Sequence, residues 1–159
     1  MKKKLLKRII ELGDSKKEVT TEDLHFIVAD VLESSENNYL QLLNLTTTSG
    51  LDLESTVSLR ILVDGEERHA SGAGNGGFDA FMDALKKVTK DLPFHIPKLV
   101  DYEIRIPRGG KTSALTEAII TWKGEGKNFR TRGVDANQVF AAIYATFRML
   151  NMLYMQSTK

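Results

Sequence analysis

The chain has 159 residues, 42% of them hydrophobic, and a formal net charge of +1. That is the length of one ordinary domain with enough apolar side chains for a core, and so even a charge balance gives no one-sided field for nucleic acid. The absence of cysteine excludes disulfides and thiolate chemistry, and no apolar run approaches the roughly 18 residues of a membrane span.

In chain order, residues 2–12 read as a helix with Leu5, Leu6, Ile9, Ile10 and Leu12 on one broad face, interrupted by Lys7-Arg8 where a signal-peptide core would need apolar residues. Thr20 or Thr21 caps a second helix, with Glu22 and Asp23 at its positive end and Leu24, Ile27, Val28 and Val31 as its apolar face. A polar stretch, Ser34–Asn38, follows. Leu40–Thr48 then reads as a strand, Thr56–Val63 as an alternating strand, and Asp64-Gly65 as a two-residue hairpin turn. Glu66–Ser71 returns into a glycine-rich stretch, and a helix runs from about Phe78 to Lys90.

The order then repeats. Leu99–Ile106 is a strand closed by Pro107-Arg108-Gly109-Gly110, Glu117–Trp122 alternates, Lys127–Arg132 returns, and Ala136–Asn151 is helical. A shift of 61 residues lays Leu59 on Ile120, Ile61 on Trp122, Gly65 on Gly126 and Gly72 on Gly133. The expected fold is α+β: two βββα units related by internal duplication, sheets packed on helices, preceded by two short linker helices. The expected division is a helical linker subdomain at 1–36 and the paired units at 37–159. The last helix carries Val139, Phe140, Ile143, Tyr144, Phe147, Met149, Leu150, Met152, Leu153 and Tyr154. A helix apolar on most sides is buried on most sides, either against a partner chain in a homodimer or as the core helix of a monomer.

The stretch Ser71–Leu85, SGAGNGGFDAFMDAL, brings Gly72, Gly74, Gly76 and Gly77 to the start of a helix. Free backbone N–H groups at a positive helix end suit an anion, and glycines allow close approach. A phosphate loop would need Gly-Lys-Ser/Thr where this chain has Gly77-Phe78-Asp79, and the dinucleotide pattern G-x-G-x-x-G fails as well. With Asp79 in the first turn, a zwitterion fits better than a phosphate: carboxylate on the amides, ammonium on a carboxylate or carbonyl. A plain turn before a surface helix is the alternative.

Catalytic patterns are lacking. His25, His69 and His95 show no metal-ligand spacing, and G-x-S-x-G is absent. Asp79, Asp83, Asp101 and Glu103 are the carboxylates that an acid/base site would have to bring together.

Residues 74–85, Gly-Asn-Gly-Gly-Phe-Asp-Ala-Phe-Met-Asp-Ala-Leu, resemble the G-x-G-P-V-D-A-x-x-x-A-L signature of the C-terminal regulatory domain of α-isopropylmalate synthase. Leu99–Ile104 and Gly133–Asn151 resemble the second half of that domain, and Ile9–Leu24 the linker subdomain before it. Gly77-Phe78 stands where Pro-Val is usual, and Gly133-Val134-Asp135-Ala136-Asn137 is a reduced second motif. Phe78 with Leu99, Tyr102 and Ile106 is closer to the related citramalate synthases, which leaves leucine and isoleucine open as effector.

The resemblance implies a cytoplasmic homodimer that binds a branched-chain amino acid near its two glycine–helix junctions. It would regulate a catalytic (β/α)₈ barrel of about 250 residues that condenses acetyl-CoA with a 2-oxo acid. The divalent metal and acetyl-CoA would belong to that barrel, and this chain is expected to carry no cofactor and to be non-catalytic. The implied effector residues are Gly74, Asn75, Gly76, Gly77, Phe78, Asp79 and Ala80 at the first junction, Asp135 at the second, and Leu99, Tyr102 and Ile106 as apolar wall. In a regular strand Leu99 and Tyr102 project to opposite faces, so one must sit at a bend or strand end. The competing expectations are an acid/base enzyme using Asp79 and Asp101, and a ligand-free assembly module.

Overall fold

The computed structural model describes residues 2–15, 24, 28, 38–106 and 114–158, the side chains of 12–15 excepted. The elements are α1 (Lys2–Ser15), β1 (Leu40–Thr48), β2 (Ser55–Val63), β3 (Glu66–Gly74), α2 (Gly77–Thr89), β4 (Leu99–Arg105), β5 (Thr116–Trp122), β6 (Phe129–Asp135) and α3 (Gln138–Ser157). Two antiparallel three-stranded sheets form, in the orders β1-β2-β3 and β4-β5-β6. The architecture is α+β with a repeated βββα unit, as the duplication implies. Of the expected second lead-in helix only Leu24 and Val28 are described; the turn at 107–110 and His25 lie outside the described residues.

The chain divides into two compact units: Glu36–Ile96 with Met149–Lys159, and Met1–Ser35 with Pro97–Arg148. In the first, β2 alternates strictly, with Val57, Leu59, Ile61 and Val63 buried. Ala80, Phe81, Ala84, Leu85 and Val88 of α2 are buried as well. Strand and helix touch backbone to backbone at Gly72, where a Cβ would land on the Ala80 carbonyl and the Ala84 amide. Two backbone groups near the end of edge strand β3 are taken up by side chains of α2. Lys87 Nζ donates to the Ser71 carbonyl (2.7 Å), and Asp83 Oδ2 accepts from the Ala73 N–H (3.1 Å). An edge so occupied is protected against stray pairing. At the other edge, Asn151 exchanges two hydrogen bonds with the Leu40 backbone (2.9 and 3.0 Å).

The second unit repeats these contacts at the same spacing. A Cβ at Gly133 would strike the Ala141 carbonyl, and Arg148 donates to the Arg132 carbonyl (2.8 Å), as Lys87 does to Ser71. Trp122 is buried and its indole N–H donates to Thr131 Oγ1 (2.9 Å). Here both faces of the central strand are covered: Ala118, Ile120 and Trp122 on the α3 side, Glu117 and Ile119 on the other. Leu5 and Ile9 of α1 pack against Leu115 and Val134. Leu6 and Ile10, expected on the same face, remain more than half exposed.

Three boundaries differ from the sequence expectation. β3 runs through the first glycines to Gly74 rather than ending at Ser71, because Gly72 is the crossing point of strand and helix and not part of a loop. β6 spans Phe129–Asp135 rather than Lys127–Arg132, for the same reason at Gly133. α3 continues to Ser157, past the expected end at Asn151, because the Asn151 amide binds Leu40 and does not stop its own helix. Phe147, Met149, Leu150 and Ile143 are buried within the chain itself, so the apolar width of this helix does not by itself point to a partner.

Candidate effector site

At the first junction β3 ends at Gly74, and α2 begins at Gly77 after an N-cap at Gly76 in extended conformation. No side chain caps this helix. Asp79 reaches back, its Oδ2 accepting from the Asn75 N–H (3.0 Å), and occupies the space that a Cβ at Gly74 would fill. A Cβ at Gly76 would meet nothing within 4 Å. The first amides of α2 therefore keep an uncapped, positive helix end with room in front of it. Phe78 is half-buried, its ring 5.9 Å from the Phe81 ring, while Ala80 is fully buried beneath β3. Gly74 and Ala80 thus serve the packing of strand on helix, and Asn75, Gly76, Gly77, Phe78 and Asp79 form the accessible part of the junction.

The second junction is built differently. Asp135 stands where the first unit has Gly74, and its Oδ2 accepts from the Asn137 N–H (2.8 Å). Asn137 Oδ1 in turn accepts from the N–H groups of Val139 (2.9 Å) and Phe140 (3.2 Å). This is a side-chain N-cap that takes up the amides left open at Gly76. Burial pushes the Asp135 carboxyl above its ordinary value, against the opposing pull of the Asn137 N–H and the Arg8 charge. The Arg8 guanidinium donates to the Val134 carbonyl (2.9 Å) and lies 5.6 Å from the Tyr144 ring centre.

The expected apolar wall lies on β4, in the second unit. Leu99 pairs with Trp122 and Asp101 with Thr121, so Val100 is an extra residue in a β-bulge. Tyr102 pairs with Ile120 and Ile104 with Ala118. Trp122, Ile120 and Ala118 are the buried residues on the α3 side, so the bulge puts Leu99, Tyr102 and Ile104 on one face. The sequence expectation that one of Leu99 and Tyr102 sits at a bend is met by this bulge. Leu99 (37%), Tyr102 (38%) and Ile106 (53%) stay partly exposed. Burial raises the Tyr102 phenol above its ordinary value. Asp101, Glu103 and Arg105 occupy the opposite face.

The structure thus keeps Gly74–Ala80 together in one unit and Leu99, Tyr102, Ile106 and Asp135 in the other. Asp79 lies on α2 and Asp101 on β4, likewise in different units. His69 is exposed and lies 3.3 Å from Glu67, and among the described residues no group of acidic or histidine side chains could hold a metal ion. A groove of about 430 Å³ lies on the outer face of the first sheet, floored by Thr46, Thr56, Ser58 and Ser71 beside Asp83 and Lys87. None of the expected effector residues lines it. Sequence reading missed the bulge, the Asn137 cap and the Arg8 contact. The first two left signals: paired apolar residues at Leu42-Leu43 and Leu99-Val100, and an Asn two residues ahead of the first apolar helix position.

Residues 18–154 match the model of the LeuA allosteric (dimerisation) domain. A protein of Archaeoglobus fulgidus named as an (R)-citramalate synthase, CimA, is 32% identical over 96% of this chain and 30% of its own length. The 2-isopropylmalate synthase of Aquifex aeolicus is 32% identical over 93% of the chain and 28% of its length. That of Methanocaldococcus jannaschii is 29% identical over 98% and 29%. The chain spans under a third of the length of these relatives, and no described helix is long and apolar enough to cross a membrane. By the match over most of its length, the chain belongs to the family of LeuA allosteric (dimerisation) domains.

Proposed function

We propose that this chain is the amino-acid-binding, feedback-inhibition and dimerisation domain of a 2-isopropylmalate synthase-type acyltransferase of leucine biosynthesis. Its effector is leucine or isoleucine. The observation that carries the reading is the uncapped first turn of α2, open in front of Gly76, in a domain whose family is described as allosteric. The α-carboxylate binds backbone amides where the Gly74–Gly77 stretch meets α2, in a charge-assisted arrangement. The ammonium binds the free Asp79 oxygen or a nearby carbonyl. Phe78, half-buried beside that helix end, is the apolar element proposed to select a branched side chain. The catalytic barrel, with its metal and acetyl-CoA, is a partner in this reading and not part of the chain.

A citramalate synthase of the isoleucine pathway is the second reading, favoured by the aromatic residue at 78 and by the Archaeoglobus relative. The two predict different effectors. Leucine, isoleucine and valine at about 100 times their dissociation constants should each add up to roughly 2.7 kcal/mol of stability, a rise of several degrees in Tm. The preferred ligand is the one that does so at the lowest concentration. If none moves Tm at millimolar concentration, the effector reading fails and a ligand-free assembly module replaces it. Sedimentation at micromolar concentration should give about twice the 17.8 kDa chain mass for a dimer; a monomer there contradicts the dimer.

A further inference from the structure

We propose that Asn75-Gly76 is a spontaneous modification site: the Asn75 side chain closes on the Gly76 nitrogen, and the acid left after hydrolysis loosens the hold of the first junction on its effector. The effect on binding rests on the effector-binding reading above; the reaction itself does not. An asparagine followed by glycine cyclises with least resistance, because no Cβ on the second residue crowds the attacking nitrogen. No other asparagine in the chain precedes a glycine. Asn75 is exposed, and among the described residues no hydrogen bond holds its side chain or the Gly76 N–H. Gly74, Gly76 and Gly77 flank it, so the backbone can turn into the ring at little steric cost. Asn137 and Asn151 are the opposite case. Backbone groups hold both side chains, and Gln138 and Met152 follow them. At the second junction the positions matching Asn75 and Gly76 are Ala136 and Asn137, so the pair is peculiar to the first.

The chemistry needs only water. The Gly76 nitrogen, having lost its proton to solvent, attacks the side-chain carbonyl carbon of Asn75. A C–N bond forms, the bond to the side-chain amide nitrogen breaks, and that nitrogen takes a proton from water and leaves as ammonia. Gly76 is the N-cap of α2, so the positive helix end favours the anionic nitrogen and the oxyanion that follows it. Water then opens the cyclic imide at either carbonyl. One opening leaves aspartate at 75. Its carboxylate stands at the same helix end and competes there with the effector's carboxylate. The other opening leaves an isoaspartyl link, with an extra methylene in the main chain. That methylene falls between the Asn75 N–H, which Asp79 holds at 3.0 Å, and the helix N-cap. It shifts the open amides away from the Asp79 carboxylate.

Two measurements test the proposal. The first follows the reaction without any effector, by mass-spectrometric peptide mapping of the full chain stored in mildly alkaline buffer. Residue 75 should become acid, as aspartate and isoaspartate, and faster as pH rises, while Asn137 and Asn151 stay amides. Gly76→Ala, which the extended backbone and open space at Gly76 accommodate, should slow the conversion severalfold. An amide that survives at 75 over a time in which the urea-unfolded chain loses it overturns the proposal. So does an unchanged rate in Gly76→Ala. The second measurement titrates leucine and isoleucine into fresh chain, converted chain and Asn75→Asp. Binding should weaken at least about tenfold on conversion, the loss of a charge-assisted hydrogen bond. The same loss in Asn75→Asp assigns it to the added carboxylate, and a loss in the converted chain alone assigns it to the isoaspartyl link; both support the proposal. Equal affinity of converted and fresh chain overturns the effect on binding. No binding by the fresh chain contradicts the effector reading itself, while the conversion at 75 stands or falls by the mass spectra.

Discussion

The two βββα units share a framework and differ in what they leave open. Gly72 and Gly133, Lys87 and Arg148, and the bulges at Leu43 and Val100 occupy matching places. These contacts fix strand on helix, and the repeat keeps them. The outer faces have diverged. In the first sheet Thr56 and Ser58 are exposed, while their counterparts Glu117 and Ile119 are buried, with Glu117 between Arg105 and Arg132 at 3.9 Å each. The helix ends have diverged too: Asn137 caps α3, and no side chain caps α2. A duplicated fold can thus close one copy of a junction for stability and leave the other for a ligand.

The largest expected effect concerns the outer faces. Ile119→Ala should cost about 2–5 kcal/mol, the usual range for a buried isoleucine, while Ser58→Ala at the matching exposed position should stay within about 0.5 kcal/mol. Denaturant unfolding of the two variants checks this. Equal costs would mean that the faces are not differently covered.

The helix caps come next. Asn137→Ala should destabilise by about 1 kcal/mol, the value of an N-cap. The converse change, Gly76→Asn, gives α2 the cap that α3 has. Gly76 has extended backbone and open space at its Cβ, so asparagine fits without strain. It should stabilise the ligand-free protein by roughly a few tenths of a kcal/mol and shrink the effector-induced rise in Tm. A variant that gains stability yet responds to effector as before would break the contrast between the junctions.

The smallest effect is on pH dependence. Burial raises the Asp135 carboxyl in the folded chain, so ionisation there works against folding. Asp135→Asn keeps an oxygen for the Asn137 N–H and removes that charge. It should be slightly more stable than the unaltered chain near neutral pH, by less than the roughly 1 kcal/mol of a cap. The gap should close as pH falls into the range where the carboxylate is protonated in both folded and unfolded chains. A gap independent of pH would point to lost packing instead of a relieved charge.

Much of this was legible in the residues. Strict alternation at Val57–Val63 wrote β2, Asp64-Gly65 wrote a turn with φ of 48° and 84°, and the 61-residue repeat wrote the second unit. The open junction was legible in its glycines, though only two of the four lie on it. Gly72 and Gly74 read as loop because composition does not distinguish a glycine that admits a ligand from one that admits a helix backbone. The Val100 bulge was hidden because alternation counts residues, and a bulge changes the count by one. The continuation of α3 was hidden because Asn151 satisfies Leu40, more than a hundred residues away in sequence, and no local pattern records that.

The central claim is that the first junction, and not the second, binds a branched-chain amino acid. Calorimetric titration of leucine and of isoleucine into the unaltered chain and into Gly76→Asn tests it most directly. The account predicts saturable binding at one site per chain, weakened at least about tenfold in the variant by loss of a charge-assisted hydrogen bond. Two equal sites per chain, no binding at millimolar ligand, or an unchanged affinity in Gly76→Asn would contradict it.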